Sequence, residues 1–275
     1  MTACKKSDDS EASSPGNTNS IGPVPATFTQ KVLVEQFTGA WNGGCPDGIY
    51  RMDKLVGGNN GNVIGINVHM GDAMEIPLFN DFMATFNNNN LPQFPSAMVN
   101  RIPSLGNVFL SKTQWASNVS VDLAHTASCG LALKTITTGN TVSAEIHCGF
   151  KTALTGTYHL TVYLVSDEIT GTGSAYDQVN TNTSNDPNSP YYNKPNPITG
   201  FVHNNVVIKA ISASLGDPVN AAAGESIKNY SIDITGKDVA KLSLVAFINK
   251  IGNDATSHEV MNVQQVSLNS TKNWD

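Results

Sequence analysis

The sequence predicts two folded parts in series, an α/β domain followed by an all-β antiparallel sandwich. Three observations carry this. Between residues 28 and 123, short apolar runs alternate with segments whose apolar residues recur at helical spacing. From residue 124 to 275 that spacing gives way to strict alternation, in about seven segments separated by Gly, Asn and Asp turns. Residues 1–27 fit neither pattern, being polar and poor in groups a core could bury.

The elements follow in order. KVLVEQF (31–37) is β-branched and apolar and predicts a buried strand. WNGGCPDG turns the chain, and CPDGIYRMDKL predicts a helix with Pro46 in its first turn, where a missing N–H is harmless, and with Ile49, Met52 and Leu55 on one face. NVIGINVHM (62–70) is a second buried strand. PLFNDFMATF (77–86) places Leu78, Phe79, Phe82, Met83 and Phe86 on one helical face. FPSAMVNR (94–101) is a third strand, opened by a proline. SKTQWASNVSVDL (111–123) begins with Ser111 and Gln114 at capping-box spacing and continues as a helix. Three strand-helix repeats are the order of an α/β domain.

In the second part, SCGLALKTI, TVSAEIHCGF, TYHLTVYLV, GFVHNNVVIKAI, SIKNYSIDI, VAKLSLVAFI and EVMNVQQVSL read as strands, with Tyr158, Leu160, Val162 and Leu164 sharing one face. Residues 180–197 form a polar, Pro-rich loop expected to be exposed and to offer a contact surface. A two-residue turn at Thr138 and Gly139 would set Cys129 opposite Cys148 on the apolar face, with Leu131 opposite Ile146 and Leu133 opposite Ala144. A disulfide between these cysteines suits an exported protein. The alternative is two reduced core cysteines.

Charge and motifs exclude several function classes. A net charge of -6 with 14% charged residues leaves no electrostatic footprint for nucleic acid. No apolar run approaches the roughly 20 residues of a membrane-spanning helix. The six histidines, His69, His125, His147, His159, His203 and His258, lack metal spacing and read as solvated surface residues. SDEITGTGSAYDQ carries carboxylates that could ligate calcium, although a solvated loop is the simpler reading. No cofactor is implied, and there is no Ser-His-Asp signature, phosphate loop or paired carboxylate site.

Two short stretches resemble known motifs. MTAC, with small residues before the cysteine, resembles the end of a bacterial lipoprotein signal, and the acidic residues Asp8, Asp9 and Glu11 are similar to surface-export signals on Bacteroidetes lipoproteins. This implies that Cys4 carries lipid, that residues 1–27 are a flexible tether and that the chain is anchored to the outer membrane, exposed at the cell surface. The other reading is a chance cysteine. FTGAWNGGCPDG resembles the active-site turn of a thioredoxin, Trp-Cys-x-x-Cys-Pro. Trp41, Cys45 and Pro46 match, while Asn42 stands where the attacking cysteine belongs. That cysteine is activated by free amides and the dipole at a helix N-terminus. Asn42 has no sulfur but is a good N-cap, so the helix start survives and the dithiol chemistry does not. Cys45 falls where the thiol should be buried and act as a small hydrophobe. Phe94-Pro95 matches the place of a cis proline opposite the motif, which would shape a peptide-docking groove; the other reading is an ordinary trans proline at a strand start.

Together VLVEQFTGAWNGGCP, VIGINVHMGD, FPSAMVNR, GFVHNNVVIKAI and NVQQVSLN resemble the outer membrane protein 28-related family of Bacteroidetes lipoproteins over about residues 28–275. The resemblance implies an α/β thioredoxin-like domain (28–123) followed by an all-β antiparallel immunoglobulin-like sandwich (124–275), each with its own core. It implies a redox-inactive lipoprotein that binds a protein or peptide partner, or takes part in cell-surface assembly. Two alternatives stay open: a monothiol or disulfide-handling oxidoreductase using Cys45, and a purely structural subunit of an outer-membrane complex.

Overall fold

The computed structural model describes residues 20–181 and 186–275. Cys4, Asp8, Asp9, Glu11 and the lipid anchor read from them lie outside the described residues. The first half runs β1 (Val32–Thr38), α1 (Cys45–Gly58), β2 (Val63–His69), α2 (Leu78–Phe86), β3 (Ser96–Val99), β4 (Leu110–Ser111) and α3 (Trp115–Leu123). The second runs β5 (Cys129–Thr138), β6 (Thr141–Phe150), β7 (Thr157–Ser166), β8 (Val206–Ala210), β9 (Asp217–Pro218), β10 (Gly224–Asp233), β11 (Leu242–Ile251), β12 (Val260–Ser267) and β13 (Thr271–Lys272). Each alternating segment of the sequence contributes a strand.

In the first half, β1 pairs in parallel with β2 and antiparallel with β3, and β4 closes the edge. Every residue of β1 and β2 is buried, because helices cover both faces of the sheet. On one side α2 packs Leu78, Phe79, Phe82, Met83 and Phe86. On the other, Met52 of α1 joins Trp115 and Val119 of α3. In the second half, a small sheet ordered β10-β6-β5-β13 faces β7 and β11 across a core that includes Leu131, Ile146, Leu160, Val162, Leu244 and Ile248.

The expected separation into two cores is overturned. Strands from both halves join in one nine-stranded sheet, β12-β11-β7-β8-β2-β1-β3-β4, with β9 added on β7. The seam is a single parallel pair, Asn67 with Val206, reinforced by Asn67, whose backbone N donates to Asn205 O at 2.7 Å and whose side-chain amide donates to Asn204 O at 2.8 Å. Tyr163, Val165, Val245 and Phe247 join Phe37, Ile66, Phe82 and Phe86 in one core. The reason lies in β7 and β11, which are apolar on both faces. One face meets the small sheet, and the other needs a cover that α2 supplies.

Arg101 ties this junction. Its buried guanidinium donates to Glu35 through Nε at 2.7 Å and Nη2 at 2.8 Å. It also lies over the rings of Phe82, Phe86 and Phe247 at 5.2, 5.3 and 4.9 Å. Burial works against its charge, and the Glu35 carboxylate outweighs burial, holding the guanidinium above its ordinary value.

The first hairpin of the sandwich also corrects an expectation. Thr138 pairs with Thr141, so the turn is Gly139-Asn140, one residue later than predicted. Gly139 has φ 59, the left-handed value that favours glycine at the first position of a tight hairpin turn. The shift sets Cys129 opposite Phe150 and Cys148 opposite Leu131, and both thiols are free rather than bonded to each other. Burial pushes both upward, Cys129 to about 12.

Candidate functional site

The degenerate motif forms the turn between β1 and α1. Trp41 donates its indole N–H to Met70 O at 2.7 Å and packs edge-on to Phe94 with ring centres 5.4 Å apart. It stays 43% exposed. Asn42 does not cap the helix as expected. The N-cap is Gly44, which no side chain caps, and Asn42 Oδ1 accepts from the Gly44 N–H at 2.9 Å to close the turn. The cause is positional, since α1 begins only at Cys45, with Pro46 in its first turn. Cys45 is fully buried, and burial pushes its thiol up to about 11, outweighing the opposing influence of the neighbouring Thr38 and Gly39. Such a thiol is almost wholly protonated near neutral pH.

Pro95 sits against the start of α1, and the Phe94-Pro95 peptide is cis. A Cβ at Gly48 would stand 2.8 Å from Pro95 Cβ, so only glycine permits this approach. On the other side of Pro95 opens a groove of about 390 Å³ lined by Leu91, Gln93, Phe109 and Gln114. Leu91 is 62% exposed. Trp41, Phe94, Pro95 and Leu91 are thus brought to one region of the surface, where Phe94 also stacks on Phe79 with ring centres 6.2 Å apart.

A second segment reaches the motif from far along the chain. Val179 N donates to Ala40 O at 2.7 Å, and Thr181 N to Gly43 O at 3.1 Å. The buried Gln178 amide donates to Ala40 O at 3.2 Å and Asn42 O at 3.0 Å. Thr181 fills the space a side chain at Gly43 would need. The loop expected to be exposed over 180–197 therefore buries Asn180 and Ser189, while most of residues 186–197 face solvent.

The histidines are also corrected. His69, His147, His203 and His258 are buried, not solvated. His69 Nδ1 lies 2.7 Å from Asp72 Oδ2, and its ring meets His203 edge-on at 5.3 Å. Burial disfavours charge on Asp72. His69 and the backbone N–H groups of Ala40 and Met74 nevertheless hold its carboxyl below the usual carboxylate range. His147 sits between Glu145 at 2.8 Å and Glu225 at 2.7 Å. These rings fill polar seams that short-range patterns do not reveal. Among the described residues, no three His, Cys, Asp or Glu side chains are grouped to hold a metal ion.

Residues 82–272 match the family described as outer membrane protein Omp28. Among solved structures, HBP35 of Porphyromonas gingivalis is similar, with a TM-score of 0.66 and 21% identity over 88% of this chain and 76% of that one. A protein of Agrobacterium tumefaciens is similar with a TM-score of 0.55 and 13% identity over 88% of this chain and 96% of that one. At these identities the likeness is one of fold. No curated protein matches the chain. Among the described residues no helix is long and apolar enough to cross a membrane.

Proposed function

The chain belongs to the outer membrane protein Omp28 family, and on that premise we propose that it is a non-catalytic binding protein, taking an extended peptide segment of a partner protein in the groove beside Pro95. The observation that carries this reading is the exposed Trp41, pinned by Met70 O and by the ring of Phe94, whose chain neighbours Gln93 and Pro95 line a groove that also exposes Leu91. An aromatic held rigid and half exposed is the kind of anchor on which binding energy concentrates. The sheet order β2-β1-β3-β4, with β1 and β2 parallel and a cis proline against the helix start, supports a thioredoxin-like first half. The facing antiparallel sheets support an immunoglobulin-like second half. Asn42 in the attacking position and the burial of Cys45 support a reading without redox turnover. The same reading keeps the lipid anchor on Cys4 and places the chain at the cell surface.

The test is a photo-crosslinking amino acid at Leu91, in the protein assembled in its native outer membrane. A discrete crosslinked partner is expected, identified by mass spectrometry and lost in Trp41→Ala. A partner captured instead from Ile136 or Ile227, on the outer face of the small sheet, would overturn the peptide groove and favour a structural subunit. Turnover of a disulfide substrate above a Cys45→Ala control would restore the oxidoreductase.

A further inference from the structure

A second cleft, of about 500 Å³, lies between α1 and the start of α3 and uses none of the residues of the peptide groove. It is organised around Asp47, only 2% exposed. Lys112 Nζ stands 2.7 Å and Arg51 Nε 3.0 Å from the same carboxylate oxygen, Oδ2. Burial disfavours charge on Asp47, and the two cations outweigh burial and hold its carboxyl below the usual range. Among the described residues Arg51 donates from Nε alone. Its two terminal nitrogens, a ready fork for a second carboxylate, remain available on a side chain that is 43% exposed. At the lip, Lys54 lies 5.2 Å over the Tyr50 ring and 3.9 Å from Asp186. Three cations against two carboxylates leave one positive charge in a chain whose net charge is -6.

The rest of the lining is apolar. Leu55, Trp115 and Ala116 supply carbon surface, and the Trp115 indole N–H is already satisfied by Leu110 O at 3.0 Å. The N-cap of α3, Gln114, does not cap it, so the positive end of that helix dipole adds to the field at Thr113 and Ala116.

We infer that this cleft binds a small organic monoanion, a carboxylate on an apolar body. The carboxylate docks on the two terminal nitrogens of Arg51, and the body lies against Leu55 and Ala116. A single negative charge matches the single excess positive one. The volume is that of a small-molecule pocket.

Isothermal titration of the full chain with 2-naphthoate at neutral pH and low salt tests this. Saturable one-to-one binding is expected, weakened about tenfold or more in Arg51→Met, partly recovered in Arg51→Lys, and weakened likewise in Ala116→Phe, which fills the cleft without touching a charge. Thermal melts equal to wild type show that all three variants are folded; Lys112 still pairs Asp47 when Arg51 is replaced. 2-Naphthamide, which keeps the body without the charge, and inorganic phosphate, which keeps charge without the body, should each bind about tenfold more weakly or worse. No binding of 2-naphthoate at about millimolar concentration, equal binding of the amide or of phosphate, or unchanged binding in either Arg51→Met or Ala116→Phe would overturn the inference.

Discussion

Asp122 shows how one side chain sets a pH dependence. It is 4% exposed, and its Oδ2 has no hydrogen-bond partner among the described residues. Burial pushes its carboxyl up to about 6, with Glu259 adding and His125 and Asn100 offsetting. Unfolded, the group titrates near 3.9. Between about 4 and 6 the folded chain therefore holds the proton more tightly. Asp122 favours the fold below that window, and the advantage is lost as pH rises through it. Asp122→Asn keeps the shape and removes the charge. The variant should be more stable than wild type at pH 7 by about 1–2 kcal/mol, and close to it near pH 4. Urea unfolding at both pH values measures this, and an equal gain at both would mean that charge is not the cause. Cys45 has the opposite, silent character. With its thiol pushed up to about 11, iodoacetamide should modify it at least about a hundredfold more slowly in the native protein than in urea, as followed by peptide mapping. Native labelling at the unfolded rate would reopen monothiol chemistry.

Among the elements, the strap over the motif depends on a glycine. In Gly43→Ala the new methyl meets Thr181 and pushes residues 178–181 off the turn. Amide exchange at Val179 and Thr181 should then quicken while α1 is unchanged. Adding Thr181→Gly should restore the slow exchange, and failure to do so would mean that strain within the turn, not the strap, is responsible. Nothing in the sequence announced this contact, because its partners lie 136 residues or more apart. The elements themselves were legible. Pro46 and the spacing of Met52 located α1, and β1 and β2 read as unbroken apolar runs because helices cover them on both sides. The hairpin turn was misplaced by one residue because Thr-Gly and Gly-Asn both make two-residue loops. Only the need for positive φ at the first position selects Gly139-Asn140. Trp41, Cys45, Pro46 and Pro95 were each found, but the groove beside Pro95 needed Leu91 and Phe109, whose placement only the tertiary fold supplies.

At the scale of the whole molecule, the shared sheet and core imply one cooperative unit. Calorimetry should show a single unfolding transition, and residues 28–123 expressed alone should lack fixed tertiary structure, since Phe82, Phe86 and Arg101 would lose Tyr163 and Phe247. Two separate transitions would restore independent cores. Arg101→Met leaves Glu35 buried and uncompensated and should destabilise by about 3–5 kcal/mol, whereas adding Glu35→Gln should recover much of that. A double-mutant cycle by denaturant unfolding measures the coupling. The same junction governs how such a protein can change over time. Because Phe82 and Arg101, with its partner Glu35, meet Tyr163 and Phe247 across the middle of the chain, a gene crossover near residue 124 would join two halves whose mating surfaces had never been selected together. Recombination there should yield misfolded hybrids unless those five positions travel with it, so the two halves are inherited as a single block.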